Sequence, residues 1–356
     1  MNSSVAQAIL LILIAAVMNA AYALPMKLNK KWQWEHSWFA FSILGEALVP
    51  TLIAMATVPF LWTTYSAVPG KTLILMALLG AGWGIAMVFF GLSLSILGLA
   101  ITFAVSLGTS AAVGALIPLV SQHPDRLLTP QGGIILIGVL VILVGVALCG
   151  LAGYRRELKT HTANLPRKHN YGRGLIFALL SGILGSMLNL GLAFGSGIQQ
   201  AAKQNGASVA MMSNAVWLPC LYAGFIPGAI YCYYLMRQRK NLLQLKLAGT
   251  WYYWPLAASM GLLWFGSLIF YSISTVKLGD LGPTIGWPLF LGAVVISSTA
   301  LGVVTGEWTN SGKNPIRVMV CGVICLVLAI AILGFASTIH AAESSTTSLI
   351  GTSNEY

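Results

Sequence analysis

Glu46 stands near the middle of an apolar run, with Pro50 one turn on. A carboxylate at membrane depth costs between about 2.5 and more than 10 kcal/mol, so it must face a cavity, find a partner or hold a proton. Glu46 is therefore a candidate proton carrier, with a structural glutamate bonded to a neighbouring helix as the alternative. Asn19 and Asn189 also lie in apolar runs. Each amide offers two donors and an acceptor, suited to substrate hydroxyls or to bonds between helices. Trp83, Trp264 and Trp287 could present flat apolar faces to a sugar ring or serve as packing. Asp280, beside Lys277 at an outer helix end, reads first as part of a solvated ion pair and is otherwise the second candidate for proton coupling.

Other chemistry finds no support. Gly70-Lys71-Thr72 resembles the end of a phosphate-binding loop, but Tyr65 stands where that pattern needs glycine. Gly80-Ala81-Gly82-Trp83-Gly84 lacks the last glycine of a dinucleotide fingerprint. The spacing of Gly80/Gly84, Gly191/Gly195 and Gly282/Gly286 is that of close helix approach. Five histidines lie scattered near run ends or in links, and five cysteines lie within apolar runs at spacings that suit neither zinc nor a disulfide framework. No catalytic triad, metal cluster or cofactor motif is visible, and the expectation is a protein that is not an enzyme.

The elements that carry these residues follow from composition. At 57% hydrophobic and 8% charged, with mean hydropathy +0.83, the 356-residue chain cannot hide its apolar surface in a soluble core. Such cores belong to chains with about 25% charged residues. Ten apolar segments are long enough to span a bilayer, over 5–26, 36–58, 71–93, 96–119, 131–153, 172–196, 208–235, 251–275, 281–305 and 316–339. Backbone polar groups in lipid must be satisfied internally, so these segments predict an all-α membrane protein.

The net charge of +11 is a topology signal and not a nucleic-acid footprint. Of nineteen Lys and Arg, fifteen fall in links after odd-numbered spans and four after even-numbered ones. This bias puts the odd links in the cytoplasm and both termini outside. It also bears on the first segment: Met1 to Gln7 carries no Lys or Arg, whereas Lys27, Lys30 and Lys31 follow the run, the reverse of a secretion signal. The first run is expected to stay as a helix, anchored at the interface by Trp32 and Trp34. A link over 154–171 separates a first half, 1–153, from a second, 172–340, and a flexible tail follows over 341–356.

The halves resemble each other. Trp83 is followed by Phe90, Ser93, Leu97 and Gly98 at the spacings at which Tyr271, Ser274, Leu278 and Gly279 follow Trp264, an offset of 181. Gly138-Val139 matches Gly322-Val323, and Asn19 faces Asn189 when the first and sixth spans are aligned. Five spans per half is odd, so the second half enters the membrane from the opposite side. Such inverted repeats hold substrate near the midplane and open to either side in turn, which favours a carrier.

Pro25-x-Lys27-x-x-Lys30-Lys31-Trp32-x-Trp34-Glu35, Gly80-Ala81-x-Trp83-Gly84-Ile85 with Gly91-Leu92 and Leu97-Gly98, and Glu307-Trp308 ahead of Pro315 carry a family resemblance. Over roughly residues 5 to 339 the chain resembles the bacterial L-rhamnose/proton symporter family of the drug/metabolite transporter superfamily. The resemblance implies ten helices in two inverted five-helix repeats and proton-driven import of L-rhamnose across an inner membrane. Met87, Val88 and Phe89 depart from the asparagines that follow the Trp-Gly pair in that family, and Glu46 departs from an apolar or aromatic position. An exporter or facilitator of another small polar metabolite is the alternative reading.

Overall fold

The structure, a computed structural model, describes residues 3–159, 170–246, 249–309 and 311–351. Ten of its helices are long and apolar enough to cross a membrane: α1 Ser3–Met26, α2 Trp34–Thr57, α3 Gly70–Leu97, α4 Leu99–Gln122, α5 Pro130–Lys159, α6 Tyr171–Phe194, α7 Asn214–Gln238, α8 Tyr253–Lys277, α9 Gly282–Val304 and α10 Lys313–Ile339. Among the described residues there is no strand. The link expected over 154–171 is helical as far as Lys159, and residues 160–169 lie outside the described residues. The backbone of the last helix continues to Gly351, into the stretch expected as a tail, and residues 352–356 are likewise outside.

Eight of the ten helices close into a ring. Going round, α1 packs on α8, α8 on α2, α2 on α7, α7 on α3, α3 on α6, α6 on α4, α4 on α9, and α9 on α1 again. Helices α5 and α10 pack on each other outside the ring; α5 touches the ring at α4 and α9, and α10 touches it at α9 and α1. The neighbours exchange between halves: α1 lies on α8 and α9 where α6 lies on α3 and α4, and α2 lies on α7 and α8 where α7 lies on α2 and α3.

Small residues set the closest crossings. A Cβ on Gly80 of α3 would fall 1.8 Å from the carbonyl oxygen of Cys220 on α7, and one on Gly84 2.0 Å from that of Gly224. A Cβ on Gly261 of α8 would lie 2.3 Å from the Cα of Gly45 on α2. Gly80 and Gly261 are separated by the same 181 positions as Trp83 and Trp264. The offset read from side chains is thus also an offset between backbone crossing points.

Two helices depart from regular geometry where polar residues sit. In α2 the stretch Ser42–Leu48 is π-helical, with the Val49 amide donating to the Leu44 carbonyl five residues back. Pro50 explains the wider turn: it has no N–H, and its ring crowds the carbonyl of Glu46 four residues earlier. Helix α6 breaks at Ser186, between Tyr171–Gly185 and Met187–Phe194, which places Asn189 in the first turn after the break.

Candidate transport site

Links after odd-numbered helices gather most of the cationic residues at one end of the bundle, the basic end. Here the motif around Trp32 makes a clasp. The Glu35 carboxylate is wholly buried, accepts from Arg239 Nη1 at 3.0 and 3.1 Å and from Asn241 Nδ2 at 2.9 Å, and so ties α2 to the α7–α8 link. His36 Nε2 lies 3.0 Å from the Asn241 carbonyl, and Trp32 Nε1 donates to the Gln244 carbonyl at 3.1 Å. Trp32, expected as an interfacial anchor, is instead buried edge-on against Tyr253 and Trp254, because its indole N–H finds a fixed acceptor there. Trp34 is 41% exposed, which suits the anchor role. A second tie at this end joins Arg156 to Glu307 at 3.1 Å, with the guanidinium 4.9 Å from the centre of the Trp308 ring.

Midway along the bundle, Trp83 and Trp264 meet. Their helices are not neighbours in the ring, so the pair lies across the lumen, stacked at 5.4 Å and 22°. The sequence left these indoles either as faces for a sugar ring or as packing. They come from opposite walls, but each covers the other and no ring-sized gap separates them. Phe41 of α2 sets its edge against Trp264 at 5.8 Å, and Tyr22 of α1 lies 5.6 Å from Phe41 and 6.4 Å from Trp38. Asn19, half-buried three residues before Tyr22, donates to Ser267 Oγ at 3.1 Å beside this layer.

Glu46 is 4% exposed in the π-helical turn beside Gly45, the crossing point with α8. Ser42, wholly buried one turn earlier, is the nearest polar residue along the helix. The carboxyl is therefore covered by protein and not set against lipid.

Towards the other end the lumen is sealed. Asn189, with no exposed surface, donates to the Gly114 carbonyl at 2.9 Å and the Pro283 carbonyl at 3.1 Å, and accepts from the Tyr271 hydroxyl at 2.5 Å. One amide thereby joins α4, α6, α8 and α9. Trp287 donates from Nε1 to the carbonyl and hydroxyl oxygens of Ser110 at 3.1 and 3.2 Å and lies edge-on to Tyr271 at 5.5 Å. Of the two readings open to Asn189 in the sequence, this geometry is the bond between helices. Asp280 lies exposed in the turn between α8 and α9, away from the lumen. Its neighbour Lys277 donates to Gln7 Oε1 at 2.8 Å.

Sequence reasoning passed over Tyr22, Trp38 and Phe41. The signal was present as Trp34, Trp38 and Phe41 at four- and three-residue steps, one aromatic face of a helix. Among the cysteines, Cys220 and Cys232 are buried, whereas Cys321 is exposed on α10.

A ring of membrane-length helices with stacked indoles across its lumen and a buried carboxyl on α2 has the form of a multi-pass membrane carrier. The family model for L-rhamnose-proton symport protein (RhaT) matches residues 1–339, and the chain belongs to that family. It is 27% identical over 341 residues to the L-rhamnose-proton symporter of Escherichia coli O17:K52:H18, covering 94% of this chain and 98% of that one. The symporters of Shigella dysenteriae serotype 1 and Citrobacter koseri match at the same identity and coverage.

Proposed function

We propose that the protein carries L-rhamnose into the cell together with protons, across a bacterial inner membrane, by alternating access. Family membership over nearly the whole chain is the observation that carries this reading. The exchange of helix neighbours between halves and the shared offset of Gly80/Gly261 and Trp83/Trp264 support treating the halves as inverted repeats. The fifteen-to-four bias in Lys and Arg supports an orientation with the basic end in the cytoplasm and both termini in the periplasm.

Within this reading Glu46 couples the proton. Ionised, it is expensive to keep in a lumen closed to water; neutral, it crosses readily. Opening the lumen to either side changes its hydration and so lets the proton bind on one side and leave on the other. The sugar moves with it because both occupy one lumen. The test is uptake of labelled L-rhamnose into liposomes holding the purified protein, with and without a pH gradient, alkaline inside. Accumulation that collapses with a protonophore is expected; uptake indifferent to the gradient, or none, contradicts the reading.

A further inference from the structure

We infer that the sugar is held by Tyr22 and Trp38, on the basic-end side of the Trp83–Trp264 stack, and that these two residues set which sugar is accepted. This inference rests on the proposed function and names the site within it.

Trp83 and Trp264 are each 7% exposed and face one another, so neither offers a face to a ligand. Asn189 and Trp287 spend their polar groups on the seal. The ring system continues from Trp264 through Phe41 to Tyr22 and Trp38, and there the burial falls: both are half-buried, as is Asn19. Phe41 faces the lumen, since it touches Trp264 in the stack that spans it. Tyr22 reaches Phe41 and Trp38 from α1, which is not a neighbour of α2 in the ring, so these contacts also cross the lumen.

The groups gathered there match a deoxyhexose. Trp38 is stacked on Trp34 at 5.6 Å and 18°, which covers one indole face; the half-buried remainder of Trp38 and the Tyr22 phenol take the apolar side of the sugar and its methyl group, as aromatic rings do with apolar partners. The Tyr22 hydroxyl has no hydrogen-bond partner among the described residues. Tyr22 packs on Phe41, whose ring lies against Gly45, the residue before Glu46 in the π-helical turn. A sugar hydroxyl bonded to Tyr22 would therefore sit one ring away from the turn that carries the proton-carrying group, which brings sugar and proton to one level of the lumen. Asn19, one helical turn before Tyr22, adds an amide on the same face of α1.

The experiment compares wild type, Trp38→Ala, Trp38→Phe, Tyr22→Phe and Trp83→Phe in the same liposomes. It measures half-saturation and maximal rate of exchange for L-rhamnose, and competition by L-mannose, which carries a hydroxyl where L-rhamnose has only the methyl group. Trp38→Ala should raise half-saturation about tenfold, a loss the size of one stacking contact, with maximal rate within about twofold. Trp38→Phe should recover most of it, Trp38→Ala should weaken the preference for L-rhamnose over L-mannose, Tyr22→Phe should raise half-saturation for both sugars alike, and Trp83→Phe should leave half-saturation unchanged. If Trp38→Ala and Tyr22→Phe keep wild-type half-saturation and preference while wild type transports, the site is wrong and the function stands. Wild-type liposomes that take up no L-rhamnose overturn both.

Discussion

Trp83 and Trp264 stack at 5.4 Å across the lumen from helices that are not neighbours in the ring. The pair joins the two halves at positions related by the 181-residue offset, so each half contributes the same residue to the contact. Trp264→Ala removes a buried indole and its stacking contact with Trp83 and should cost about 3 kcal/mol of stability. Trp264→Phe should cost less than half of that. In a double-mutant cycle with Trp83→Ala, thermal unfolding in detergent should give a coupling of about 1 kcal/mol. Strict additivity would mean the rings do not support one another.

The crossing of α2 and α8 leaves no room for a methyl group at Gly45 or Gly261, where an added Cβ would lie within 2.8 and 2.3 Å of the facing backbone. Gly261→Ala should cost about 1–3 kcal/mol by overpacking. Gly91, with nothing within 4 Å of the Cβ position, is the control. Equal melting temperatures for the two variants would refute the contact.

At the basic end, Arg239 neutralises a carboxylate that has no exposed surface. Arg239→Gln strands that charge and should destabilise by about 2 kcal/mol, at the lower end for a buried pair because the Arg239 side chain is 53% exposed. Adding Glu35→Gln should restore part of the loss. A single Arg239→Gln variant as stable as wild type would show that the clasp contributes nothing.

Leu243, 77% exposed in the α7–α8 link, reports which way the bundle sits. If the basic end is cytoplasmic, Leu243→Cys should resist an impermeant thiol reagent in intact cells and react after permeabilisation, read against a background lacking the native cysteines. Labelling from outside reverses the orientation.

The spans could be read from the chain because lipid makes hydropathy nearly decisive. Helix ends could not. Helix α5 continues past residue 153 through Arg155, Arg156 and Lys159, charged residues that end an apolar run without ending a helix. Helix α7 begins at Asn214 and not at 208, because Ser208 to Ser213 form turns that hydropathy cannot tell from helix. Glu46 stood out because an isolated carboxylate in an apolar run is costly. Tyr22 and Trp38 did not, since aromatic residues are common in such runs and only the ring order shows which face the lumen. Asn189 was ambiguous for the same reason: its partners, Gly114, Tyr271 and Pro283, lie 75, 82 and 94 positions away in the chain.

The coupling role of Glu46 is the centre of this account, and Glu46→Gln tests it by keeping the side chain's shape while removing its titration. The measurement is accumulation of labelled L-rhamnose under an imposed pH gradient, beside sugar exchange at equal pH on both sides. The variant should lose gradient-driven accumulation and keep exchange within a few-fold of wild type. Accumulation at the wild-type level by Glu46→Gln would contradict the account and make Glu46 a structural residue.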